Sequence, residues 1–168
     1  MGLGMKKLVL VGLAVAVVLS LALPASAQVK STWTNWHKIE LQYRAKKYDE
    51  AIKGFRQFIK DFPTSDYADN SLWLICEIKY SRQRKHAEAL PLLRELIAKY
   101  PQSNYVDDAW FRIAECYSYM RKQKERAAAY AEIVEKLPDG DRTGYAAMRA
   151  VQVYYDTRDY PKAAELAQ

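Results

Sequence analysis

One stretch of this chain occurs twice. Trp73, Cys76, Glu77, Tyr80, Arg84, Leu93, Leu96, Tyr100 and Pro101 are answered 37 residues later by Trp110, Ile113, Ala114, Tyr117, Arg121, Tyr130, Ile133, Leu137 and Pro138. Aromatic, apolar, basic and proline positions return in one order. A period of this size is the mark of a duplicated helical hairpin, which cannot bury its own apolar face and must stack on a neighbour. The expected architecture is all-α, a short right-handed solenoid whose workplace is a binding surface rather than a catalytic site.

The local pattern agrees along nearly the whole chain. Trp36, Ile39 and Tyr43 stand three and four apart, and Tyr48, Ala51, Ile52, Phe55, Phe58, Ile59 and Phe62 continue the stripe, so two amphipathic helices join near Lys46. Pro63 closes the second helix, because proline cannot continue one. Asp66 with Asp69, and Asn104 with Asp107, are expected to supply capping side chains and first-turn acid to the helices that follow. The units fall at about 31–63, 65–101, 103–138 and 141–168, roughly 3.5 hairpins in all, within a repeat domain of residues 28–168. The last helix is expected either to be a short cap or to have its open apolar side, including Val151 and Tyr154, covered by something else. No alternating strand pattern of useful length occurs in residues 28–168.

Residues 1–27 stand apart. Lys6 and Lys7 precede an apolar run from Leu8 to Leu23, followed by Pro24 and Ala25-Ser26-Ala27. A basic start, a short apolar core and a small-x-small exit describe a secretory signal peptide cleaved after Ala27. The rival is a retained anchor, for which the run is short against a bilayer core of about 30 Å. Cleavage leaves 141 residues with 24 basic and 20 acidic side chains, a formal charge of +4. That excess is too small and too interspersed for nucleic acid, whose readers concentrate positive charge on one face. The expected location is periplasmic or secreted.

Set out by repeat, the motif residues resemble the tetratricopeptide repeat family. The second unit contributes Trp73, Cys76, Glu77, Tyr80, His86, Ala89, Leu93 and Pro101, the first Trp36, Ile39, Tyr43, Tyr48, Ala51, Phe55 and Pro63, and the third Trp110, Ile113, Ala114, Tyr117, Tyr130 and Pro138. The family's usual glycine between the two helices is replaced by Arg84 and Arg121, and Arg126 stands where a small residue packs. The phrase from Phe62 to Asp69, echoed from Tyr100 to Asp107, is similar to the bacterial cell-envelope branch of the family, which includes an outer-membrane assembly lipoprotein and a Tol-Pal-associated cell-division coordinator. The resemblance implies a concave groove lined by first helices. Its positions map to His37, Leu41 and Arg44, then Leu74, Ile78 and Arg82, then Phe111, Glu115 and Tyr119, then Met148, Gln152 and Tyr155. Apolar and aromatic groups mixed with a few charges suit an extended peptide or a partner helix. For Leu74 and Ile78, packing between repeats is an equal alternative, and Trp33 is either an end cap or an exposed anchor.

No catalytic constellation accompanies the repeat. His37 and His86 are the only histidines, and His86 stands at the aromatic position of Tyr48. Cys-x-x-Cys, a glycine-rich phosphate loop, Gly-x-Ser-x-Gly and a paired-histidine metal motif are all absent. The chain is expected to be no enzyme and to need no metal or cofactor. Secretion would place Cys76 and Cys116 in an oxidising compartment, so they are either a disulfide between neighbouring first helices or two buried thiols. Basic residues gather at the turn inside each unit (Arg44, Lys46, Lys47; Arg82, Arg84, Lys85; Arg121, Lys122, Lys124, Arg126). Acids gather between units at Asp61, Asp66, Asp69, Asp107, Asp108, Asp139 and Asp141. Either the helix dipoles explain these charges or one edge faces an anionic surface. Two functions follow: an envelope scaffold that holds a protein partner in its groove, or a helical accessory domain or subunit of a wall-remodelling enzyme that holds glycan or an anionic surface on its basic edge.

Overall fold

The computed structural model describes residues 25–167, with side chains from residue 31 onward. The expected leader therefore lies outside the described residues, except Ala25 to Ala27, which open the first helix. Eight helices follow in antiparallel pairs: α1 (Ala25–Arg44) with α2 (Tyr48–Asp61), α3 (Ala68–Glu77) with α4 (His86–Lys99), α5 (Val106–Tyr119) with α6 (Gln123–Lys136), and α7 (Thr143–Asp156) with the short α8 (Tyr160–Leu166). Each helix packs on the next, and no strand occurs among the described residues. The molecule is an α-solenoid of helical hairpins.

Its core is a continuous seam. Ala51, Phe55, Phe58 and Ile59 form the buried stripe of α2, Leu93 and Leu96 extend it through α4, and Ile113 and Ile133 carry it into the third hairpin. Full burial of each large side chain contributes about 1.5–3 kcal/mol. Hairpins approach closely where a side chain is missing: a Cβ on Gly54 of α2 would stand 2.8 Å from Ile39 Cγ2 of α1.

The turn inside the first, third and fourth units closes by one device. After α1, the Lys46 N–H donates to the Tyr43 carbonyl and the Lys47 N–H to that of Gln42, both at 2.9 Å. The same pair of bonds follows α5 and α7, ending on Arg121 with Lys122 and on Arg158 with Asp159. This Schellman closure satisfies the last helical carbonyls but places one residue in the left-handed region. That residue is Lys46 (φ 61°), Arg121 (φ 59°) or Arg158 (φ 63°), and Arg84 (φ 54°) takes up the same conformation at the differently bonded turn of the second unit. None is glycine.

The second unit departs from the others. Its first helix continues as a π-helical turn over Ile78–Arg82, with the Gln83 N–H donating to the Ile78 carbonyl at 2.9 Å. The wide turn absorbs one extra residue. Consequently α3 and α5 start 38 residues apart, while the turns at Arg84 and Arg121 are 37 apart. The ring that stacks on the start of the next unit shows the true register. Trp36 lies 5.1 Å from Tyr67 and Trp73 lies 5.0 Å from Tyr105, while the Arg142 guanidinium lies 4.1 Å from the Phe111 centroid. The counterpart of Trp73 is thus Phe111, not Trp110. Trp110 is buried in the core, as Leu72 is one unit earlier.

One further expectation is corrected, and the alternative left open for the cysteines is decided. Neither Asp66 nor Asn104 caps a helix: the caps are Tyr67 and Tyr105, without side-chain cap bonds, and their N–H groups donate instead to Ser65 Oγ (3.3 Å) and Ser103 Oγ (3.2 Å). Asp69 accepts from its neighbour's Asn70 N–H at 2.7 Å and from the Ser103 hydroxyl of the next unit at 2.6 Å, so it ties two units together. Cys76 and Cys116 are free, buried thiols rather than a disulfide. In the 38-residue register of these helices Cys116 matches Ile78, two positions beyond Cys76, and two positions turn a helix by roughly 200°. Burial pushes the Cys116 thiol up to about 12 and raises that of Cys76 as well.

Candidate functional site

The first helices lie side by side, and polar side chains stitch them together. The Tyr80 hydroxyl of α3 donates to Glu115 of α5 at 2.9 Å. Arg112 of α5 reaches back to Glu77 at 3.4 Å and along its own helix to Glu115 at 3.0 Å. Its guanidinium lies 4.3 Å from the Tyr80 ring centroid. Burial pulls the Arg112 pKa down, but Glu77, Tyr80 and Glu115 outweigh it and the guanidinium stays charged. Burial, then the bond to Glu115, raises the pKa of Tyr80. Two carboxylates, one guanidinium and one phenol therefore form a self-satisfied network, which holds α3 and α5 at a set spacing.

The residues expected in the groove divide into three groups. Leu41, Tyr119, Met148 and Tyr155 present exposed apolar surface, and Arg44, Arg82 and Gln152 are also exposed. His37 and Glu115 are half-buried and already partnered: His37 is stacked on Trp33 at 5.0 Å and bonded to Glu40 at 3.1 Å, and Glu40 also holds Arg44 at 2.6 Å. Leu74, Ile78 and Phe111 belong to the packing. Leu74 is half-buried against the core, Ile78 has 0% exposure, and Phe111 lies under Tyr145 and Arg142. Ile78 offers no surface because the extra residue of α3 moves its inward positions by one, and Phe111 offers little because Tyr145 and Arg142 of the next unit cover it. Glu77, not Ile78, is the counterpart of Glu115.

Sequence reasoning passed over Glu40 and Arg112 and saw Glu77 only as a motif position. The available signal was the equal spacing of Glu40 and Glu77, 37 residues apart. His86, at the aromatic position of the repeat, was expected to pack as Tyr48 does. It is half-buried, with Tyr119 stacked on it at 4.4 Å and 10° and a buried Nδ1 that has no partner. Burial, then Arg84, lowers its pKa from 6.5.

The tetratricopeptide repeat model matches residues 36–65, 77–103 and 108–139, more than half of the chain. This protein belongs to the tetratricopeptide repeat family. The second matched stretch begins at residue 77, inside the helix whose π-turn breaks the register. The fourth hairpin, α7 with α8, continues the tetratricopeptide stack beyond the matched stretches. No curated protein matches the chain. As a tetratricopeptide array it is a protein–protein interaction scaffold. Among the described residues, no three histidine, cysteine or acidic side chains gather where they would hold a metal ion.

Proposed function

We propose that this tetratricopeptide protein is an envelope scaffold, exported by its leader, that holds a peptide or partner helix along the face formed by its first helices. One observation carries the reading. Of the seven large apolar side chains exposed among the described residues, six belong to first helices: Trp33, Leu41, Tyr119, Tyr145, Met148 and Tyr155. Exposed apolar groups scattered singly need no explanation, but their concentration on one set of helices marks a surface that a partner covers. The Glu77–Arg112–Glu115 network keeps that surface rigid, so little ordering is lost on binding. The phrasing around Phe62-Pro63 and Tyr100-Pro101 supports a place in the cell-envelope branch of the family.

Photo-crosslinking tests the face directly. A photoreactive residue at Leu41 or Tyr155 should capture a partner that Lys53 or Arg94, exposed on second helices, does not. Tyr119→Ala with Met148→Ala should reduce that capture. Equal capture from both sets of helices would overturn the groove assignment. For export, amino-terminal sequencing of the mature chain should read from Gln28.

A further inference from the structure

The turns inside the units share a chemical peculiarity that the groove does not use. Each places a cation in the left-handed region, where glycine is the unstrained choice. Lys46, Arg84, Arg121 and Arg158 are all exposed, and none makes an ion pair. Because first helices pack side by side, about 10 Å apart, these cations align along one edge of the solenoid. The charge is densest at the second and third turns, where Arg82, Arg84, Arg121 and Lys124 stand free of carboxylate partners and only Lys85 and Lys122 are paired, with Glu88 and Glu125.

Between those two turns lies an open cavity of about 580 Å³ lined by Tyr80, Ser81, Arg84, His86, Arg112 and Tyr119. One face of Tyr119 is stacked on His86, while the side chain remains 64% exposed. The π-helical turn of α3 supplies Tyr80 and Ser81 to this cavity, and π-turns recur at functional sites.

The geometry points to this edge as a binding site for an acidic polysaccharide, with a sugar ring laid on Tyr119 and its carboxylates or phosphates held by Arg84 and Arg121. An aromatic face set between cations suits a ring that is apolar on its C–H face and anionic at its substituents. Nucleic acid fits less well, because it needs a succession of stacking platforms along the basic track and only Tyr119 stands between these two turns. A membrane fits less well too. At the second and third turns the exposed ring is a tyrosine carrying a hydroxyl, and no exposed leucine, phenylalanine or tryptophan stands there to enter an acyl layer. The site borders the apolar face proposed for the protein partner and shares Tyr119 with it, while the turn cations Arg84 and Arg121 belong to this edge alone.

Binding of the purified chain to polygalacturonate, read by biolayer interferometry in about 50 mM salt, tests the proposal, since exposed charges are then weakly screened. Arg84→Gln and Arg121→Gln should each weaken binding about three- to fivefold. Tyr119→Ala should weaken it about tenfold, and Tyr119→Phe, which keeps the ring, should not. Lys60→Gln, on a second helix, should have no effect. Circular dichroism on each variant shows that the helices persist. Affinity unchanged by Tyr119→Ala, or tighter binding of single-stranded DNA or of anionic phosphatidylglycerol vesicles with the same sensitivity to Arg84 and Arg121, would overturn it.

Discussion

Replacing Arg121 by glycine should make the protein more stable although it deletes a charged side chain. Arg121 is exposed and holds φ at 59°, where a Cβ costs about 1–2 kcal/mol. Glycine removes that strain but loses more freedom on folding, worth roughly 0.5–1 kcal/mol in the opposite direction. Arg121 makes no ion pair, so nothing else is lost, and the net gain is about 0.5–1 kcal/mol. For a chain of 168 residues this raises Tm by about 1–4 °C. Arg121→Ala removes the guanidinium but keeps the Cβ, and should leave stability near the starting value. Lys46→Gly and Arg158→Gly lie in separate turns and should add to the effect, giving about 1.5–3 kcal/mol for the triple variant. Thermal and urea unfolding followed by far-ultraviolet circular dichroism measures each of these variants. If Arg121→Gly is no more stable than Arg121→Ala, backbone strain at these turns is not what distinguishes them. If the edge binds an acidic polymer, the stabilised glycine variants should also bind it more weakly.

Four other outcomes follow from the packing. Gly54→Ala should destabilise by about 1 kcal/mol, because overpacking against Ile39, about 1–3 kcal/mol, exceeds the helix-propensity gain; urea unfolding reads the sign. Leu93→Ala, which empties a fully buried position in the seam, should cost about 2–5 kcal/mol in the same assay. Cys76 and Cys116 should react with Ellman's reagent only after unfolding, since both are buried and their pKa values are raised. His86, whose folded pKa lies below 6.5, contributes stability that is complete above that value and lost as pH falls through it toward the folded pKa. The unfolding midpoint should therefore drop on acidification below about pH 6.5, and His86→Gln should remove that part of the drop.

The repeat, the prolines that follow α2, α4 and α6, and the apolar stripe of each helix were legible because all are short-range regularities. Periodicity of three and four positions makes an amphipathic helix, and a period near 37 makes a stacked array. Trp73 could be paired with either Trp110 or Phe111 without disturbing that pattern. The π-turn at Ile78–Arg82 chooses Phe111, and with it sends Ile78 into the core and Glu77 onto the inner face. Cross-unit contacts enforce the choice, notably Trp73 on Tyr105 and Arg112 on Glu77. The caps show the same division: Asp66 and Asn104 have the right chemistry at the right distance along the chain, but Ser65 and Ser103 hold the nearby N–H groups.

Local order in the amino acids thus settles that this chain forms helices, that they come in pairs and that the pairs must stack. Which side chains end on the seam, on the inner face or at the basic edge depends on one additional residue in α3. A single residue rotates every later position of a helix by about 100°, and only contact with the neighbouring hairpin shows where that rotation is absorbed.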